Sequence, residues 1–221
     1  MPLKYGIYLN KCPVCAQDSL QKFYQDKQRI FLQCNTCKLI SVPIENHLSS
    51  VDEKAQYDKH QNNPEDPGYR KFLSRVFDPL LKQISQNSLG LDFGCGPDPT
   101  ISHMANEYGI NVCNYDLYYF NQPELLERQY DFITMTEVIE HIADPRLLFT
   151  KLDSLLNHGS LLAIMTKRVT DTQAFSSWHY KNDPTHICFY SLETFQWLAL
   201  KLEWRLEIID KDVVFFHKDK L

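Results

Sequence analysis

Hydrophobic positions along the chain follow two rhythms, separated by a polar interruption. Before residue 45 they form short alternating stretches, Phe31-Leu32-Gln33 and Leu39-Ile40-Ser41-Val42, a period of two that predicts hairpin strands ending at Pro43. Residues 45–68 are polar and rich in Asn, Asp and Pro, the composition of a connector, with room for one short helix from Asp52 to His60. From Tyr69 the period changes. Tyr69, Phe72, Leu73, Val76, Phe77 and Leu80 recur at helical spacing and predict an amphipathic helix.

The remaining segments alternate. Leu89 to Phe93 reads as a short apolar strand running into a Gly/Pro turn, Ile101 to Tyr108 as a helix and Asn111 to Tyr115 as a second strand. Asp131 to Met135 predicts another strand and Pro145 to Leu156 a helix; His158-Gly159 then turns into an apolar strand from Leu161 to Thr166. An aromatic-rich loop is expected over residues 168–190. A helix from Leu192 to Leu202 precedes two strands, Arg205–Ile209 and Val213–His217, close enough for a terminal hairpin. Such alternation implies an α/β fold, its mostly parallel sheet covered on both faces and carrying an antiparallel edge.

Composition narrows the class. With 221 residues, the chain suits one large domain and a small appendage, and 43% hydrophobic residues suffice for a packed core. No apolar run approaches the roughly 18 residues of a membrane span, and Met1 to Asn10 lacks the pattern of a secretory leader, so a cytoplasmic protein is expected. The net charge of −5 is unevenly spread. Residues 1–40 contain six basic side chains (Lys4, Lys11, Lys22, Lys27, Arg29, Lys38) against Asp18 and Asp26, hence +4, leaving −9 for the rest. That asymmetry fits either an RNA partner at the N-terminus or merely solvated charge.

Seven cysteines could signal disulfides, but four of them form two close pairs, Cys12/Cys15 and Cys34/Cys37, separated by 18 residues. Each CxxC is a knuckle, and two knuckles supply the tetrahedral sulfur set that zinc prefers. A zinc ribbon over residues 1–44 is therefore expected, its metal replacing a core too small to form otherwise.

Chemistry gathers at Leu89-Gly90-Leu91-Asp92-Phe93-Gly94-Cys95-Gly96-Pro97. A strand ending in a glycine turn lets backbone approach a ligand at the carboxyl edge of the sheet. Asp116, twenty residues after Gly96, is placed to accept the hydroxyls of a ribose. The dinucleotide fingerprint GxGxxG is broken by Pro99, and Pro97 and Pro99 offer no amide to a pyrophosphate, which disfavours NAD and FAD.

Asp92 through Pro97 resembles the cofactor turn of class I S-adenosylmethionine-dependent methyltransferases. The resemblance spans about residues 54–217 and implies a Rossmann-like, seven-stranded sheet over residues 69–221 that binds S-adenosyl-L-methionine. It implies cofactor contacts from Asp92, Gly94, Gly96, Asp116, Thr136 and Glu137. Asp98 stands where many members have glycine, which puts any cofactor contact there in doubt. More narrowly, the cysteine ribbon, Tyr57 through Asn62 and Trp178 through His186 are similar to a group of bacterial methyltransferase-domain proteins. Glu137, Glu140 and His141 resemble an ExxEH pattern of quinone-pathway O-methyltransferases, some of which use a divalent metal. Elsewhere in the family such residues line the cleft.

The loop over residues 168–190 opens at the same sheet edge. It contains Trp178, His179, Tyr180, Asp183, His186 and Tyr190, either the wall of an acceptor pocket or packing for the loop itself. His186, His179 and His141 are the candidate general bases, since imidazole titrates near neutrality. The expectation is a methyltransferase acting on a small-molecule acceptor. The alternatives are an RNA-modifying enzyme gripping its substrate through the basic ribbon, or a non-catalytic cofactor-binding scaffold. No (Asn/Asp)-Pro-Pro-(Tyr/Phe) tetrapeptide follows the Asp131 strand, which argues against the common base-amino methyltransferases.

Overall fold

A computed structural model of the chain describes residues 11–59 and 63–219. His60 to Asn62, part of the connector pattern, and Lys4 of the basic N-terminus lie outside these residues. Two sheets organise the fold. In the smaller one, β1 (Leu20–Gln25) and β2 (Ile30–Cys34) form an antiparallel hairpin, followed by β3 (Ile40–Ser41). The hairpin turn is held by Asp26, whose Oδ1 accepts the amides of Gln28 and Arg29 at 2.8 Å each.

The larger sheet contains β4 (Leu89–Phe93), β5 (Asn111–Tyr115), β6 (Tyr130–Thr136), β7 (Leu156–Met165), β9 (Arg205–Ile208) and β10 (Val213–Lys218). Its order is β5-β4-β6-β7-β10-β9, with β5, β4, β6 and β7 parallel and β10 antiparallel to both of its neighbours. Strand alternation divides the core in two. Ile133, Met135, Leu162, Ile164, Val214 and Phe216 face one apolar layer, whereas Phe132, Leu161, Ala163, Val213 and Phe215 face the other.

Helices cover both layers. α2 (Pro67–Leu81) starts on Asp66, which caps the amides of Gly68 and Tyr69, and it buries Leu73, Val76, Phe77 and Leu80 beside α3 (Thr100–Asn106). On the opposite face lie α4 (Pro145–Leu155), capped by Asp144, and α6 (Leu192–Leu202), started by a Ser191/Thr194 capping box. α1 (Ser50–Tyr57) is a polar helix with no buried residue. Among the described residues, no helix is long and apolar enough to cross a membrane.

Several expectations need correction. The sheet has six strands among the described residues, not seven. Between β5 and β6, residues 116–129 hold only a bridge between Asp116 and Phe120 and a 3-10 turn, Pro123–Glu127. A further parallel strand would need crossovers of a dozen or more residues, for which this segment is too short. β7 begins at Leu156 and absorbs His158-Gly159 through an irregular register opposite Tyr130 and Phe132, instead of starting after a turn. The loop at residues 168–190 contains α5 (Thr172–Ser177), a 3-10 turn at His179–Asn182 and β8 (Cys188–Phe189).

β8 changes how the two sheets relate. It pairs antiparallel with β3, so the small sheet reads β1-β2-β3-β8 and its last strand comes from the large domain's own loop. Phe31 of the hairpin packs edge-on to Phe175 at 5.1 Å and to Phe189 at 5.7 Å, inside a single apolar cluster that continues into the main core.

Candidate active site

At the carboxyl end of the parallel strands lies a cavity of about 800 Å³, within the range of small-molecule sites. Asp92, Gly94, Gly96, Asp116, Thr136 and Glu137 all line it. Gly94 is dictated by geometry: φ is +80°, and a Cβ there would fall 2.5 Å from Val138 Cγ2. Gly96 also has a left-handed φ of +67°. The turn is pinned by the Gly94 amide donating to the Tyr115 carbonyl at 2.7 Å. Asp98 is exposed and does not line the cavity.

Asp92 is 2% exposed, accepts the Thr134 hydroxyl at 2.8 Å, and burial pushes its carboxyl up to about 7. Asp116 is supported differently. Its Oδ2 accepts the Gly96 amide at 3.1 Å, and its Oδ1 accepts the amides of Tyr118 and Tyr119 at 2.8 and 3.1 Å. One carboxylate thus ties the glycine turn to the turn after β5, and its remaining lone pairs face the cavity.

α1 forms part of the cavity wall. Ser49 caps it, Glu53 and Tyr57 line the cavity, and the Tyr57 hydroxyl donates to Glu53 Oε1 at 3.0 Å. The Tyr118 hydroxyl reaches Glu53 Oε2 at 2.6 Å, and Tyr119 donates to Asp58 at 2.7 Å. Sequence reasoning assigned these residues no role, because the connector has no apolar period. The available signal was a Glu and a Tyr four residues apart on one helical face.

The opposite wall carries the titratable cluster. Glu137 takes a left-handed φ of +55°, unusual for a residue with a side chain. Burial and the neighbouring Glu140 both raise its carboxyl. Glu140 is fully buried; it accepts hydrogen bonds from Tyr180 and, at 3.0 Å, from Thr166. His141 and His186 come together, ring centroids 4.7 Å apart, and both line the cavity. The Nδ1 atoms sit at the Thr185 and Tyr180 carbonyls, 3.1 and 2.7 Å away, which assigns the proton to Nδ1 and leaves each Nε2 with its lone pair. Burial lowers both imidazoles. Asp183 Oδ2 is 3.9 Å from His186 Nε2, too far for a direct hydrogen bond.

His179 does not belong with them. It is exposed, lies beside Lys167 Nζ at 3.2 Å and does not line the cavity. The 3-10 turn at His179–Asn182 sends Tyr180 inward and His179 to solvent.

One carboxylate oxygen of Glu140 and one nitrogen each of His141 and His186 lie within 4.8 Å of one another, a grouping able to hold an ion. Glu137 is not in this group. Both Glu140 oxygens already accept hydroxyl hydrogens, so this carboxylate is satisfied without a metal.

In the ribbon, all four cysteine sulfurs lie within 4.8 Å of one another, with Cys12–Cys37 and Cys15–Cys34 pairs at 3.4 Å. The knuckles match: Ala16 and Lys38, each directly after its CxxC, take φ of 58° and 62° and donate amides back to Cys12 and Cys34. Crowding and burial push the Cys15 and Cys37 thiols up, the repulsion that a divalent cation relieves.

The ribbon also reaches the cavity wall. Arg29, 8% exposed, donates to the carbonyls of Lys181, Asp183 and His186, and Lys181 Nζ pairs with Asp26 at 3.4 Å. The loop carrying Asp183 and His186 is thus clamped by the β1–β2 hairpin.

A family profile described as a methyltransferase domain matches residues 60–207. Human N-acetylserotonin methyltransferase, solved with S-adenosylmethionine, is similar at 10% identity and a TM-score of 0.52, over 68% of this chain and 54% of that one. A S-adenosylmethionine-dependent methyltransferase from Archaeoglobus fulgidus is similar at 19% identity and a TM-score of 0.50, over 62% of this chain and 71% of that one. Magnesium protoporphyrin IX methyltransferase from Synechocystis PCC 6803, with bound S-adenosylhomocysteine, is similar at 13% identity and 0.50, over 76% and 94%. These likenesses establish the fold. No curated protein sequence matches the chain.

Proposed function

The chain belongs to the methyltransferase-domain family and is an S-adenosylmethionine-dependent methyltransferase, and we propose that it methylates a small molecule seated between α1 and the His141/His186 pair. The observation that carries this reading is one continuous cavity lined both by Asp92, the Gly94–Gly96 turn and Asp116 and by the two histidines. The glycine turn and Asp92 hold the amino-acid part of the cofactor, and Asp116 accepts from its ribose hydroxyls. Thr136 and Glu137 stand where the sulfonium would lie. The cofactor brings the activated methyl group. The protein orients the acceptor, excludes water and receives the acceptor's proton on a histidine Nε2.

In the same reading the four ribbon thiolates bind one structural zinc ion. Arg29 makes the ribbon a brace for the acceptor wall. That internal use of a basic side chain favours a bracing role over an RNA grip. The test is incubation with tritiated cofactor and separate metabolite and RNA fractions. Label in a low-molecular-weight product supports the reading, whereas label confined to RNA, with strongly salt-dependent binding, replaces it with the RNA alternative.

A further inference from the structure

The cavity has an uneven charge. Six carboxyl groups line it, Glu53, Asp92, Asp116, Glu127, Glu137 and Asp183, against a single ammonium, Lys151. Asp92, Asp116 and Glu137 serve the cofactor in the reading above. Glu53, Glu127 and Asp183 remain, and the charges of Asp183 and Glu53 both act on the His141 ring.

Glu53 is the telling member. It is half-buried and receives a phenol hydrogen on each oxygen, from Tyr57 and Tyr118. Among the described residues it makes no ion pair, because the adjacent Lys54 is engaged by Asp58 at 2.8 Å. A half-buried carboxylate oriented by two hydroxyls and left without a cation is arranged to receive one. The walls agree with this. The Tyr57 ring lies 5.8 Å from that of Tyr118 and 5.3 Å from His141, and Tyr69 and Phe72 line the same space. Aromatic rings beside a carboxylate are the surroundings that favour an ammonium group. α1, which contributes Glu53 and Tyr57, lies outside residues 60–207, so this feature is additional to the family's shared domain.

We propose that the methyl acceptor is an amine, bound as its ammonium ion between the Glu53 carboxylate and the rings of Tyr57 and Tyr118. The inference rests on the methyl-transfer reading. The ammonium gives a proton to the neutral His141 or His186, which frees the nitrogen lone pair. That pair forms the N–C bond as the C–S bond breaks, its electrons returning to sulfur to give S-adenosylhomocysteine. The positive charge passes from sulfur to nitrogen and stays within the acidic, aromatic pocket.

The test uses the full chain loaded with S-adenosylhomocysteine and three calorimetric probes of one shape: 2-phenylethylamine, 2-phenylethanol and phenylacetate. The amine is expected to bind about tenfold or more tightly than the alcohol, and phenylacetate weakest of all. Glu53→Gln should abolish the amine's advantage, leaving the affinities for the alcohol and S-adenosylhomocysteine within about twofold; Tyr57→Leu should reduce the advantage by weakening the ring contact. Four results overturn the proposal: no amine binding, an alcohol or acid bound as well as the amine, an amine preference that survives Glu53→Gln, or displacement of the amine by Mn²⁺, which would assign the cation site to a metal. If S-adenosylhomocysteine itself does not bind, it is the cofactor reading that fails.

Discussion

Replacing Asp116 by alanine separates a cofactor-binding carboxylate from one that only shapes a turn. In the apo protein this side chain accepts three backbone amides, from Gly96, Tyr118 and Tyr119. Those donors border the cavity, so water replaces the lost acceptor and folding is weakened by about 1–3 kcal/mol. The cofactor's ribose would add one or two charge-assisted bonds, worth about 1.5–3 kcal/mol. Affinity for S-adenosylhomocysteine should therefore fall roughly tenfold to a hundredfold, with most of the loss in enthalpy. Titration calorimetry on Asp116→Ala and on Tyr118→Phe provides the comparison. Tyr118→Phe leaves the carboxylate in place and removes only the bond to Glu53, so its affinity should stay within about threefold of wild type. Equal affinities in Asp116→Ala and wild type would refute the ribose assignment. A comparable loss in both variants would shift the effect to the turn and α1.

Metal analysis of freshly prepared, reduced protein should give about one zinc per chain, lost in the Cys12→Ser/Cys34→Ser double variant; two zinc ions per chain would instead point to Glu140, His141 and His186. His186→Asn or His141→Asn should lower turnover by ~10²–10⁴ with cofactor affinity nearly intact, while His179→Asn, in solvent, should leave turnover unchanged; an equal loss from His179→Asn would contradict the placement of the base. Burial pushes the Asp92 carboxyl up from 3.8 to about 7, so the native state holds a proton that the unfolded state releases between those values. Its contribution to stability is complete below about pH 4 and fades as pH rises through about 7. Denaturant melts should show this decline from pH 5 to pH 8, to which the raised Glu137 and Glu140 carboxyls also contribute, and Asp92→Asn should make it shallower; an unchanged slope in the variant would remove Asp92 from the account.

What was legible in the sequence depended on whether the signal was local. β4, β5 and α6 fall on the expected residues because each is one run of a single period, bounded by its own turn or cap. The clustering of Cys12, Cys15, Cys34 and Cys37 was equally plain, since CxxC spacing is a local geometric requirement. The glycine turn could be read because φ > 0 at Gly94 and Gly96 leaves a residue-type signature. β8 and β1 could not. A two-residue strand has no period of its own, and β8 exists because β3 offers it a free edge across the gap between residues 41 and 188. The pairing of His141 with His186 has the same origin: one follows β6, the other lies in the loop that Arg29 clamps.

The same loop–hairpin contacts favour, in the proposed reading, a ribbon that braces the enzyme over one that grips a partner. From the sequence alone, residues 1–44 are an appendage whose basic charge is either a grip for an RNA partner or solvated surface. The fold removes Arg29, the one guanidinium among those charges, from solvent and sets it on three carbonyls of the acceptor wall. Lys181 meets Asp26 from the other side. A buried guanidinium loses hydration that only well-placed acceptors restore, so these contacts fix the hairpin and the loop relative to each other. Ribbon order and acceptor binding are then thermodynamically linked, because whatever disorders the thiolate cluster loosens the loop that carries His186. Removing zinc with a chelator should accordingly weaken acceptor binding more than S-adenosylhomocysteine binding, since the glycine turn and Asp116 directly follow β4 and β5 and take no part in the Arg29 contacts. Equal weakening of both ligands would mean global unfolding, and would count against the brace.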